Sequence, residues 1–161
     1  MLLHIPQFAC VLDGLFPIYT CESCMRKMGD VDSSHLLARF RCDDIQGEGV
    51  RALARIEGGS FIIEYKGNLS RKKIEGPYVV EVCKGSKWVD GAVGGNLSRL
   101  INHSCDPNCV LHIEPFNKKA MIFAARTIVV GEELTLNYSK DGLPFDCACQ
   151  KCVESLQSQG K

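Results

Sequence analysis

Three thiols crowd the end of the chain, where Cys147-Ala148-Cys149-Gln150-Lys151-Cys152 places them within six residues. Thiolates are soft ligands, and a structural zinc site takes four tetrahedral donors at about 2.3 Å. The triad therefore predicts a zinc ion whose fourth ligand comes from elsewhere in the fold, and spacing alone leaves that ligand open. Free thiols or a redox Cys-x-x-Cys pair are the competing uses. A redox pair belongs in a strand–helix–strand setting, which this segment lacks. The second stretch rich in chemistry is Gly95-Asn96-Leu97-Ser98-Arg99-Leu100-Ile101-Asn102-His103-Ser104-Cys105-Asp106-Pro107-Asn108-Cys109. Its parts are ordinary when taken singly. An Asn-His pair fits a turn with a satisfied histidine, and Asp106-Pro107-Asn108 is turn chemistry. Tyr65 and Tyr138 each close an apolar run, where a phenol either fills a core or offers its hydroxyl to a ligand. Gly47-Glu48-Gly49 is a plain turn, or a place where backbone approaches a ligand closely.

Short strands must position these groups. Residues 49–56 and 61–65 are extended runs separated by the turn signal Glu57-Gly58-Gly59-Ser60. Further runs cover 78–82, 87–90, 110–113, 120–125 and 133–138. No helical period persists over three or four turns, so the pattern predicts a mostly β fold with one or two short helices. A chain of 161 residues, 45% hydrophobic and 24% charged, has the make-up of one globular domain with a real core. Nineteen basic residues balance nineteen acidic ones, which disfavours a protein that grips nucleic acid through a basic face. No apolar run reaches membrane-spanning length. The first residues lack the pattern of a secretory leader, so the ten cysteines are expected to be reduced and to read first as metal ligands.

Taken whole, the middle stretch resembles the Asn-His-Ser-Cys-x-Pro-Asn signature of SET-domain lysine methyltransferases. Four other segments agree, in the family's order. Gly47-Glu48-Gly49-Val50-Arg51-Ala52 is similar to the opening Gly-x-Gly, and Phe61-Ile62-Ile63-Glu64-Tyr65-Lys66-Gly67 to the Glu-Tyr-x-Gly strand. Gly131-Glu132-Glu133-Leu134-Thr135-Leu136-Asn137-Tyr138 resembles the closing segment, and the cysteine triad stands where the post-SET zinc motif stands. The resemblance spans roughly residues 36 to 152.

The resemblance implies small β-sheets around a pseudoknot, in which the closing segment runs under the loop carrying Asn102 and His103. It divides the chain into a cysteine-containing flank at 1–35, a SET domain at 36–139 and a post-SET segment at 143–159. It implies methyl transfer from S-adenosylmethionine to a protein lysine, on a histone tail in the nucleus; the balanced charge and short apolar runs add the expectation of no direct nucleic-acid binding and no membrane. Tyr138 and Tyr65 match the active-site tyrosines. Gly47, Glu48, Gly49, Asn102, His103 and Tyr138 match cofactor contacts, with His103 assigned to binding rather than to acid–base work. Tyr65 and Leu136 line the lysine channel, and Cys105 becomes the fourth zinc ligand beside Cys147, Cys149 and Cys152. Three positions depart from the pattern: Asn137 replaces an aspartate, Leu136 a phenylalanine or tyrosine, and Glu48 an aromatic or basic residue. Tyr19-Thr20-Cys21-Glu22-Ser23-Cys24 faintly resembles the end of a pre-SET region, but with Cys10 it supplies few of that region's cysteines. Two rivals remain: a catalytically silent SET module that binds a peptide or partner, and a zinc-structured nucleic-acid binder. Retention of Tyr65, Asn102, His103 and Tyr138 favours activity.

Overall fold

Alternation of buried and exposed residues along short strands sets the architecture of the computed structural model, which describes residues 34–42, 47–114, 117–138 and 146–159. Cys10, Cys21 and Cys24, almost all of the 1–35 flank and residues 143–145 lie outside these. A 3₁₀ turn at Ser34–Leu36 leads into β1 (Leu37–Arg41), which pairs antiparallel with β2 (Glu48–Ala52), Phe40 opposite Gly49. β3 (Phe61–Glu64), β8 (Cys109–Ile113) and β9 (Ala120–Ala124) form an antiparallel sheet in the order β3-β9-β8. β4 (Asn68–Ser70), β5 (Val79–Cys83) and β6 (Lys87–Asp90) form another, in the order β4-β6-β5. β7 (Asn102–His103) and β10 (Thr135–Leu136) pair in parallel, Thr135 opposite Asn102 and Leu136 opposite His103. Helix α1 (Gln150–Gln159) follows.

Every residue of β9 is buried, because side chains that alternate across the strand meet two apolar faces. Ala120, Ile122 and Ala124 join the main core, while Met121 and Phe123 pack with Phe61 on the opposite side. The main core runs through Val50, Ile62, Ile101, Ile128 and Leu134, contributed by segments from all parts of the described β region. Ile101 and Leu134 matter most here. Each is buried immediately beside a motif residue, so core packing fixes where Asn102 and Glu133 stand.

Two extended runs are shorter than the sequence pattern predicts. The 49–56 run ends at Ala52, where the chain turns: Leu53 N–H donates to the Leu36 carbonyl, and Ile56 pairs with Ile128. The 133–138 run divides because it serves two partners in succession. Leu134 N–H donates to the Val50 carbonyl at 2.7 Å, and the next two residues then pair with β7. That hand-over lays the closing segment alongside the Asn102–His103 segment, the juxtaposition a pseudoknot requires.

Candidate active site and metal centre

The opening glycines are fixed by geometry. Gly47 has φ of +72°, a conformation that favours glycine. A Cβ on Gly49 would stand 2.7 Å from Cys42 Sγ and from Glu133 Oε1, so the side chains of Cys42 and Glu133 close directly over β2 and would have to shift to admit one. Glu48 turns its carbonyl towards Asn102, whose amide nitrogen donates to it at 3.2 Å and to Glu133 Oε1 at 2.9 Å. Opening, middle and closing motifs thus meet at Asn102.

Asn108 clamps the closing segment from the other side. It is buried; its amide nitrogen donates to the Glu133 carbonyl at 2.7 Å and to Glu132 Oε1 at 2.9 Å, and its Oδ1 accepts from Thr135 N–H at 2.8 Å. Turn chemistry in the sequence gave no sign of this role. Glu133 was also missed, although its position between two motifs was visible.

The two tyrosines line one cleft of about 500 Å³ with Leu136, Ile101, Tyr78 and Arg99. Tyr65 is buried, and its hydroxyl donates to the Tyr78 carbonyl at 2.9 Å. Gly91 lies against that hydroxyl, where a Cβ would stand at 2.7 Å, so a residue without a motif shapes the site. Tyr138 is 49% exposed, yet its hydroxyl points inward and donates to the Ile101 carbonyl at 2.6 Å. Burial first, then the neighbouring phenols, pushes both hydroxyls up to about 12; for Tyr65 the Tyr138 phenol is the larger of these, and for Tyr138 it is Tyr78. Both stay protonated and available as donors at neutral pH. Leu136 is buried at the cleft wall. Arg99 stacks over the Tyr78 ring at 5.8 Å.

His103 sits between the cleft and the thiols. Its Nδ1 accepts from Tyr138 N–H at 3.2 Å, and its Nε2 lies 3.4 Å from Cys105 Sγ. Burial holds its pKa below the ordinary value, which keeps the ring neutral near pH 7.

The metal-ligand set fits zinc. Tetrahedral Zn–S bonds of about 2.3 Å separate sulfurs by about 3.8 Å. Cys105 Sγ lies 3.7 Å from Cys147 Sγ and 3.6 Å from Cys152 Sγ, and all four thiol sulfurs, Cys149 included, lie within 4.8 Å of one another. Burial pushes the Cys149 thiol up, but hydrogen bonds from the Cys105 and Cys152 backbone and from neighbouring thiols prevail and hold it at about 6. Cys152, bonded to the Cys105, Cys147 and Cys149 thiols, is pushed up to about 12. Four sulfurs at this spacing form a donor set that a divalent cation would bind as thiolates, displacing their protons. Cys149 directly precedes α1, whose N-terminal dipole also favours thiolates.

A model of the SET domain matches residues 47–139. The chain belongs to the SET-domain family. The chain is similar to histone-lysine N-methyltransferase SUV39H1 of Xenopus laevis, at 30% identity over 84% of this chain and 38% of that protein. It is also similar to human histone-lysine N-methyltransferase 2B, at 34% identity over 70% of this chain and 5% of that one. Among solved structures, KRYPTONITE in complex with mCHG DNA and SAH superposes with a TM-score of 0.60 at 30% identity, covering 71% of this chain and 28% of that one. A second KRYPTONITE structure, with mCHH DNA, an H3(1-15) peptide and SAH, gives 0.59 over 70% of this chain and 27% of that one. The chain therefore spans well under half the length of these relatives. The mostly β fold expected from the SET resemblance is the fold observed, and the fourth thiol implied by that resemblance, Cys105, is the one that joins the C-terminal triad.

Proposed function

We propose that this chain is a protein-lysine N-methyltransferase that takes a methyl group from S-adenosylmethionine and delivers it to a lysine on a histone tail. One observation carries the reading: Tyr65, Tyr138 and Leu136 converge on a single cleft beside the segment that joins the Gly47–Gly49, Asn102 and Glu133 motifs. Neighbours solved with SAH and with an H3 peptide support the donor and substrate class. Balanced charge supports protein rather than nucleic acid as the substrate, and the relatives' names support work at chromatin in the nucleus. Residues 36–139 form the catalytic unit in this reading, with 143–159 as the post-SET segment that holds zinc.

The donor, when bound, supplies a methyl group on a positively charged sulfur. The chain's own task is to present a neutral amine in line. A lysine with a pKa near 10.4 costs about 4–5 kcal/mol to deprotonate at neutral pH. Apolar walls at Leu136, Ile101 and Val80 disfavour the ammonium and lower that cost. The Tyr138 hydroxyl and the Ile101 carbonyl it meets fix polar atoms at the cleft, and Tyr65 narrows it. Gly47, Glu48 and Gly49 present backbone to the donor, with Asn102 and His103 opposite them. Zinc, when bound, supplies four bonds that hold Cys105, Cys147, Cys149 and Cys152 together.

Labelled S-adenosylmethionine incubated with mixed histones tests the proposal, and Tyr138→Phe is expected to lower transfer at least a hundredfold while calorimetry shows donor binding within a few-fold of wild type. Binding without transfer by the wild-type chain would leave a silent peptide-binding module instead. Near-normal turnover by the variant would make Tyr138 a structural residue.

A further inference from the structure

We infer that the His103 ring is a positioning residue that couples the zinc centre to Tyr138, passing the state of the metal site to the catalytic cleft. The inference rests on the lysine-methyltransferase reading for its consequence, and on hydrogen-bond geometry for its substance.

A neutral imidazole carries one N–H and one acceptor nitrogen. Nδ1 accepts the Tyr138 backbone N–H at 3.2 Å, a donor that has no other role to offer. The ring proton therefore sits on Nε2, which faces Cys105 Sγ at 3.4 Å. Cys105 in turn lies 3.7 Å and 3.6 Å from Cys147 and Cys152 in the candidate metal site. A continuous line of donors runs from the Tyr138 amide through the ring to a thiol that zinc would hold as thiolate. Thiolate is a far better acceptor than thiol, so metal occupancy tightens the Nε2 contact and fixes the ring plane. The ring also packs edge-on against the Tyr138 phenol, with centroids 5.4 Å apart at 61°. Orientation at one end is thus felt by the phenol at the other. Ser104 N–H bonds the Leu136 carbonyl at 2.9 Å, so the backbone on both sides of the ring is pinned and the side chain is the movable part.

Two conservative variants separate the arms. The Asn side chain in His103→Asn places an oxygen near the Nδ1 position and reaches no further, keeping the Tyr138 arm. His103→Gln places an amide donor near the Nε2 position, keeping the Cys105 arm. Zinc loss to excess chelator, followed by a chromogenic metal indicator, is expected to be about tenfold faster for His103→Asn than for wild type, and within twofold for His103→Gln. The Tyr138 amide proton, followed by NMR on uniformly labelled protein, should hold its position in His103→Asn and move upfield in His103→Gln. In wild type it should move upfield on chelation while the β9 amides stay in place, which also certifies an intact core. Equal zinc-loss rates for the two variants, or a Tyr138 amide unmoved by chelation, would overturn the coupling. Neither readout uses donor or peptide. A chain that shows both effects yet transfers no methyl group would sink the methyltransferase proposal and leave this coupling standing.

Discussion

Tyr65 and Tyr138 show how a residue type acquires a task from its surroundings. Each ends a strand-like run and could have been a core filler, but each hydroxyl meets a backbone carbonyl at a common cleft. Their pKa values are raised to about 12, burial being the main cause. A group raised above its unfolded value contributes stability that is complete below the unfolded pKa, near 10, and is lost as pH rises towards 12. Absorbance titration should therefore show two phenols, lost in turn in Tyr65→Phe and Tyr138→Phe, that ionise near 12, and alkaline unfolding should begin between those limits. Ionisation of these two near 10 in folded protein would refute the burial of their hydroxyls. Leu136 makes a second prediction at this scale. Relatives with tyrosine there can hold a water where a further methyl would go, and those with phenylalanine cannot. Leucine has no hydroxyl and is smaller, and here it is buried in the wall of the cleft that the two tyrosines also line. On the proposed activity, the chain should reach at least the dimethyl state, and Leu136→Tyr should shift products towards monomethyl. Mass spectrometry of a long-incubated peptide decides it: a wild-type reaction stalled at one methyl group removes the argument.

Elements were legible to the extent that burial alternates. Strands β2, β3, β5, β6, β8 and β9 each lie on or within one residue of an apolar run, because each inserts side chains into a shared core. Three strands were not legible, for physical reasons. β4 exposes two of its three residues, β1 buries only Leu37 of its five, and β7 is two residues long and exists only through its parallel partner β10. Helix α1 has no apolar stripe to betray it; every described side chain in it is exposed except half-buried Cys152. The site was legible as a set of motifs, whereas the clamp that assembles them was not. Asn108 holds the closing segment by three hydrogen bonds from a buried position, and only the fold reveals that a turn residue reaches so far along the chain. Replacing it with alanine leaves Glu133 C=O and Thr135 N–H without their partner in a buried setting. The expected cost is about 2–4 kcal/mol by urea unfolding, with loss of donor binding because Asn102 and Glu133 shift together. A variant of wild-type stability would show that water replaces the amide and that the clamp is dispensable.

The whole molecule divides by what holds it. The described β-strands share one buried core with a small satellite around Met121 and Phe123, so their association needs no metal. The C-terminal segment has no such anchor: only Cys149 is buried among its described side chains, and it joins Cys105 through sulfur. Apolar burial and metal ligation should therefore fail separately. One zinc per chain is expected by elemental analysis, bound on the order of 10 kcal/mol or more tightly. Chelation should open the segment from residue 146 onward to protease while strands β2 to β10 remain protected. The small helical signal should fall while the main thermal transition moves little. A second zinc equivalent would point to Cys10, Cys21 and Cys24. Active protein without zinc would show that contacts other than the four thiols seat the helix, and a main transition that collapses on chelation would show that the metal, rather than the core, carries the fold.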